Sequence, residues 1–195
     1  MHLGNDVVEP RVETHEIERL VARAQQGDRD AFGELVYLHQ HEVYTLALRL
    51  TANPDMAADV AQEAFVRAWR AIPGFRGEAA FATWLHRITV NMAWTHRSRR
   101  RRLQAAPLDE AFEIADPRDD PVRAGEMSEL RDAVKDALSR LPSGQRAVVV
   151  LKDVYGWSHA EVGEALGISV TAAKVRLHRG HARLRHELEG IRERG

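Results

Sequence analysis

The stretch from Ser158 to Arg185, SHAEVGEALGISVTAAKVRLHRGHARLR, ends one helix and begins another within three residues. Ser158 is placed to cap the first helix with Glu161 reaching back from three residues on, and Trp157 to staple onto Val162. Gly167 supplies a left-handed stop, and Ser169 caps the next helix two residues later. So short a joint forces the helices to cross steeply, the helix-turn-helix geometry that sets a second helix in a major groove. In that second helix Val170, Ala173, Leu177 and Leu184 recur at three- and four-residue steps and predict the inner face. Lys174, Arg176, Arg179, Arg183 and Arg185 carry the outer one, and no acidic residue interrupts from Val170 to His186. An ordinary helical hairpin with solvated arginines would explain the charge alone. Cap, stop, cap and one-sided charge together point to DNA reading.

Nearly every other segment repeats at helical period, and no alternating strand pattern persists, so the expected class is all-α. Ile17, Leu20, Val21 and Ala24 form a first stripe, ended by Gln26 and Gly27. A longer one runs through Phe32, Leu35, Val36, His39, Val43, Leu46, Ala47 and Leu50 to a stop at Asn53 and Pro54. Asn53 then caps a helix with Pro54 at its first position, burying Val60, Ala61, Ala64, Phe65, Ala68 and Trp69 until Pro73 and Gly74. After a loop at 75–80, a helix from Phe81 to about Arg102 has Trp84, Leu85, Ile88 and Met92 inward. The pattern then collapses into PLDEAFEIADPRDDP, which reads as a flexible linker. Order returns at Ser128 with Leu130, Val134, Ala137, Leu138 and Leu141, continuing through Gln145 to Val154. The expected layout is a tail at 1–15, a helical domain at 16–103, an acidic linker at 104–127, a second helical domain at 128–188 and a tail at 189–195.

Charge segregates along the same boundaries. The formal net charge of −1 over 195 residues conceals an acidic front, with 12 acidic and 7 basic residues in 1–75. Residues 84–102 hold 6 arginines and no acid, and residues 103–127 hold 7 acids against 2 arginines. Two basic surfaces joined by an acidic strap suit a chain with two DNA-facing heads. With no cysteine there is no disulfide, thiolate metal site or thiol switch. The longest apolar run, Ala147 to Leu151, is far too short to span a bilayer, and the amino terminus is acidic rather than a signal peptide. A soluble cytoplasmic protein is expected, with no membrane partner.

The segment FATWLHRITVNMAWTHRSRRRR at 81–102 puts aromatic faces, hydrogen-bonding side chains and arginines on one helix. Aromatic rings take up unstacked bases and arginines neutralise phosphate, a composition suited to strand-separated DNA. Trp84, in register with Leu85 and Ile88, reads as core, as does Phe81; Trp94 and Asn91 are the better base contacts. The run Arg99 to Arg102 would add affinity without sequence preference. On the preceding helix, Asp59, Gln62, Glu63, Arg67 and Arg70 line the face opposite the core, and ordinary solvation would suffice for them.

Four motifs change that reading of the face: DVAQEAFVRAWRAI at 59–72, F-x-x-WLHRI-x-x-N at 81–91, LP-x-x-x-R at 141–146 and the helix-turn-helix ending KVRLHR. In this order and spacing the chain resembles an extracytoplasmic-function sigma factor of the sigma-70 family over residues 16 to 188. The resemblance implies a sigma-2 helical bundle and a sigma-4 helix-turn-helix domain joined by the acidic linker, in an alternative sigma factor that binds core RNA polymerase and directs promoter recognition, DNA opening and initiation. It implies that Asp59, Gln62 and Glu63 dock on the clamp helices of the beta-prime subunit. Loop 75–80 and the helix after it would open and read the minus-ten element through Arg76, Thr83, Arg87, Asn91, Trp94 and Arg97, the loop holding a flipped base. The minus-thirty-five element would fall to Ser169, Thr171, Lys174, Val175, Arg176, His178, Arg179 and Arg183, with Lys174, Val175, His178 and Arg179 at base-facing positions. Earlier helices of sigma-4 would sit on the beta flap, the strap would thread toward the RNA exit path, and an anti-sigma factor would hold the chain inactive.

A guanine contact from Arg179 or Lys174 is worth about 1–3 kcal/mol of discrimination. Val175 offers only apolar contact, and Arg176, Arg183 and Arg185 suit phosphate. Some positions depart from the family: Thr95 replaces its usual aspartate, Val175 a common serine, and Gly180 with His181 the usual alanine and arginine. Gly180 should cost helix stability, about 1 kcal/mol against alanine. An enzyme is disfavoured, since there is neither a phosphate-binding glycine loop nor a nucleophile motif, and no small-molecule substrate is expected. His39 and His41 point to different faces, while His178 and His181 share one but lack a nearby carboxylate or cysteine, so no metal or other cofactor is expected. A stand-alone dimeric helix-turn-helix regulator leaves the Asp59–Ile72 face and the Trp/Arg helix unused, and the paired basic surfaces disfavour a pure interaction protein such as an anti-sigma factor.

Overall fold

Side chains that satisfy orphan backbone donors write the helix starts. Asp28 Oδ1 accepts from the Asp30 and Ala31 N–H groups, Asn53 Oδ1 from Met56, and Ser169 Oγ from Ala172. At Ser158 the capping box is complete, because Ser158 Oγ accepts from Glu161 N–H while the Glu161 carboxylate accepts from Ser158 N–H. The computed structural model describes residues 10–103 and 126–192, with side chains over 15–99 and 132–189.

The first half comprises α1 (Pro10–Gln25), α2 (Arg29–Thr51), α3 (Pro54–Ala71), a 3-10 turn (Ile72–Gly74) and α4 (Phe81–Leu103). The second half comprises α5 (Glu126–Ser139), α6 (Ser143–Val149), a π turn (Val150–Val154), α7 (His159–Leu166) and α8 (Val170–Arg192). Among the described residues there is no strand, in keeping with the all-α expectation. Helix α1 begins at Pro10, six residues before the expected domain start at 16. The linker sequence from Pro107 to Pro121 and the side chains of Arg100, Arg101 and Arg102 lie outside the described residues.

Helix α2 is the axis of the first bundle, packed against α1, α3 and α4. It contributes Leu35, Val43 and Leu46, α3 contributes Val60, Ala64 and Ala68, and α4 contributes Leu85 and Val90, all essentially buried. The alanines let α3 approach closely, and each buried large aliphatic side chain stabilises the fold by roughly 1.5–3 kcal/mol. In the second bundle α8 packs on α5, α6 and α7 around Ala147, Val148, Leu151, Val162 and Ala173. Trp157 and Val162, the expected staple, are both buried. Val170 is a correction: it is 43% exposed, because the first residue of α8 lies beyond the crossing and the inner face starts at Ala173.

The bundles also touch each other. Helix α2 meets α6, and α4 meets α7.

Candidate nucleic-acid interface

The helix-turn-helix joint is built around Gly167, which holds φ 63° and ψ 39° and donates its N–H to the α7 carbonyls of Glu164 and Gly163. Gly163 is equally constrained, since a Cβ there would stand 2.8 Å from the Ile168 carbonyl oxygen. With α7 and α8 thus pinned, Ser169, Thr171, Lys174, Val175, His178, Arg179 and Arg183 all lie exposed. They fall on successive turns of one helix, so cationic donors and the apolar Val175 share a surface that a groove can receive. Arg176 differs from the rest. It is half-buried over the start of α6, where a Cβ on Gly144 would meet its guanidinium at 3.5 Å, so it also packs the bundle.

The structure brings His181 Nε2 to 2.6 Å from Asp153 Oδ2. This corrects the sequence reading, which found no carboxylate near His178 and His181; the π turn folds Asp153 back onto α8 from 28 residues away. Among the described residues no group of three or more His, Cys, Asp or Glu has a metal-holding arrangement.

The other candidate surface follows α4 and the loop before it. Phe75, Phe81 and Trp84 form a ring cluster, with centroids 5.0 Å apart for Phe75–Trp84 and 5.6 Å for Phe81–Trp84. That cluster fixes the loop root and confirms Phe81 as core, while Trp84 is half-buried against it. Gln25 completes the anchor, donating from Nε2 to the carbonyls of Ile72 at 3.2 Å and Phe75 at 2.7 Å. Sequence reasoning missed Gln25, because nothing in its own helix pattern foretells two acceptors almost fifty residues away. Beyond the anchor, Gly77 has φ 71° and Arg76 projects into solvent, its guanidinium 3.9 Å from Glu78.

Along α4, Thr83 is half-buried, and Arg87 and Asn91 are exposed. Trp94 is half-buried, with the Arg97 guanidinium 5.2 Å from its ring centroid, a cation–π arrangement. Arg87 does not stand alone; it donates to Glu161 at 3.0 Å. The Ser158 backbone N–H first, then the Ser158 hydroxyl and the Arg87 guanidinium, hold the Glu161 carboxyl below its ordinary value.

Asp59, Gln62 and Glu63 are exposed on α3, and Glu63 Oε2 lies 2.8 Å from His96 Nε2 on α4. Beside them Glu63, Val66, Arg67, Arg70, Ala71 and Met92 line a shallow groove. Val66, 45% exposed, is the residue that sequence reasoning passed over here; its signal was an apolar side chain on an otherwise polar face.

Residues 35–103 match the family model of Sigma-70 region 2, and residues 131–184 match that of Sigma-70, region 4. The chain is 35% identical over 185 residues to "ECF RNA polymerase sigma factor SigE" of Mycolicibacterium smegmatis, an alignment spanning 94% of this chain and 72% of that relative. The chain belongs to the extracytoplasmic-function sigma factors. Among solved structures, CnrH in complex with the cytosolic domain of CnrY matches this sigma factor with a TM-score of 0.56 at 28% identity, over 90% of this chain and 98% of the other. The sigma factor RpoE of Bartonella quintana, solved with the anti-sigma factor NepR, has the same fold, with a TM-score of 0.62 at 21% identity over 81% and 96% of the two chains. Region 2 of this sigma factor thus occupies most of α2 with α3 and α4, and region 4 lies on α5–α8. Among its described residues no helix is long and apolar enough to cross a membrane.

Proposed function

We propose that this sigma factor binds core RNA polymerase and selects promoters with two heads, contributing no catalytic residue of its own. One observation carries the proposal: both sigma regions occur in order on one chain, and the helix-turn-helix presents a bare cationic face on α8. Lys174, Val175, His178 and Arg179 then read bases of the minus-thirty-five element, while Ser169, Thr171 and Arg183 set register on phosphate. Arg76, Thr83, Arg87, Asn91, Trp94 and Arg97 act on the minus-ten element. Its opened strand suits the mixture of ring faces and cations on α4.

Asp59, Gln62 and Glu63 dock on the beta-prime clamp helices, with Val66 as an apolar contact among them, and region 4 rests on the beta flap. In this reading the two domains span 16–103 and 128–188, and the protein works in the cytoplasm, where the polymerase is. An anti-sigma factor holds it in check; the solved complex of CnrH with the cytosolic domain of CnrY supports this control by a second protein.

The test is transcription by purified core polymerase on a genomic template with and without the chain. New, discrete start sites with shared upstream elements are expected, and no added transcript would sink the proposal. Replacing Asp59, Gln62 and Glu63 together by alanine should abolish co-purification with core polymerase at unchanged helical content. Retention of binding would remove that surface from the docking role.

A further inference from the structure

The three residues proposed for docking are not held alike. Among the described residues Asp59 and Gln62 have no side-chain partner, whereas Glu63 Oε2 lies 2.8 Å from His96 Nε2 of α4. A carboxylate only accepts, so the ring presents Nε2–H to it. His96 stands between Trp94 and Arg97 in sequence, yet its ring turns to α3, and no role in DNA contact accounts for it.

Helix geometry alone offers Glu63 a different partner. Arg67 follows it by four residues, and a carboxylate four residues before a cation is the favoured pair on a helix surface. The structure does not make that pair: Arg67 is exposed, forms no ion pair among the described residues, and lines the shallow groove with Val66, Arg70, Ala71 and Met92. His96 prevails because α4 brings it there already ordered. Met92, one turn before it, is buried at the same groove, and the His96 side chain is 21% exposed against 55% for Glu63. A short, half-buried ring loses fewer rotamers in making the bond than a long exposed guanidinium does. The outcome is a carboxylate fixed through Oε2, with Oε1 unpartnered among the described residues, and an Arg67 guanidinium that Glu63 does not neutralise. A side chain already held in one rotamer also loses less on association than a free one.

We propose that His96 is a positioning residue for polymerase docking, which holds Glu63 off Arg67 and presents its carboxylate, already ordered, to a cationic surface of the core enzyme. The proposal rests on the reading of Asp59, Gln62 and Glu63 as the docking surface. His96 acts through Glu63 and needs no contact of its own with the polymerase, so its effect exists only while Glu63 is there to be held.

The test is the affinity of the full chain for core polymerase, measured without promoter DNA so that the contacts proposed for α4 do not enter. His96→Ala should weaken binding about two- to tenfold, the cost of ordering one long side chain at an interface. His96→Gln, whose amide Nε2–H can stand in for the ring donor, should recover binding to within about twofold of the unaltered chain. Glu63→Ala should weaken binding at least as much as His96→Ala, and combining the two should cost nothing further, since the pair acts as a unit. Should His96→Ala lose helical content, His96→Leu replaces it, keeping bulk without a donor. Three results would each overturn the positioning role and leave the docking surface in place: undiminished binding by the folded donorless variant beside a weakened Glu63→Ala, additive losses in the double variant, or His96→Gln as weak as the donorless variant. Undiminished binding by Glu63→Ala would instead remove Glu63 from the docking surface, and His96 with it. A chain with no affinity for core polymerase would refute the docking reading itself.

Discussion

A Cβ at Gly180 would stand 2.6 Å from Val149 Cγ2, so α8 crosses α6 at a distance only glycine permits. Helix propensity alone makes Gly180→Ala stabilising by about 1 kcal/mol. Overpacking a core contact costs about 1–3 kcal/mol, and here it opposes and exceeds that gain. The expected outcome is a net loss of up to about 2 kcal/mol, a melting temperature lower by up to roughly 8 °C. Gly33, inside α2 with open space where its Cβ would be, is the control, and Gly33→Ala should stabilise. Equal stabilisation by both substitutions in thermal melts would show that the α6–α8 crossing is looser than this.

Gln25 holds the root of loop 75–80 by two hydrogen bonds, although it belongs to α1. Gln25→Ala leaves the Ile72 and Phe75 carbonyls to water, costing about 1 kcal/mol of stability. Its larger expected effect is functional, because a loop proposed to act on the minus-ten element tolerates little misplacement. Open-complex formation should fall about tenfold, read by the reactivity of unpaired thymines in the minus-ten element, with core-polymerase affinity unchanged. An undiminished open complex would free the loop from dependence on Gln25.

Helix starts and faces were legible because their causes are local. The Ser158–Glu161 box, the Asn53–Pro54 start and the Gly167 stop each involve residues within a few positions, and side-chain chemistry dictates them. The faces proposed for docking and reading were legible only as exposed polar surface until four motifs set them in order. What sequence could not deliver was long-range pairing. The Gln25 anchor, the Asp153–His181 pair, the Arg87–Glu161 bridge and the hydrogen bond from Arg146 to the Leu50 carbonyl join residues 28 to 96 positions apart. No periodicity encodes such partners. Gly180 illustrates the same limit, since propensity priced it as a defect and only the neighbouring helix shows why it is there.

His86 should make the chain acid-sensitive. Burial lowers its pKa below the ordinary 6.5; Glu42 beside it opposes the shift and His39 adds to it. The groups facing it are His39 and Glu42 of α2 and the Tyr155 ring after the π turn. Because the folded pKa is depressed, the unfolded chain takes up the proton first as pH falls through 6.5. Stability is therefore full above that value and declines below it, until the folded-state pKa is passed. Thermal melts between pH 7.5 and 5.5 should show this decline, and His86→Gln should flatten it. Parallel curves for the two proteins would assign the acid sensitivity elsewhere.

Arg179 and Arg183 lie one turn apart on the exposed face of α8 and should fail in different ways. Arg179, at a position proposed to meet base edges, should lose about 1–3 kcal/mol on the preferred promoter when replaced by alanine and tolerate changes at one minus-thirty-five base pair. Arg183, proposed on phosphate, should weaken binding to all promoters alike and reduce the salt dependence of holoenzyme binding by about one charge. The measurement is promoter affinity of the reconstituted holoenzyme across a single-base substitution series at several salt concentrations. The distinction arises from chemistry, since a bidentate fork on a base edge is lost with one wrong base, whereas a phosphate is present at every step of any sequence. If Arg183→Ala relaxed specificity and Arg179→Ala changed only the salt slope, the position of α8 along its own axis in the groove would have to be shifted by one turn.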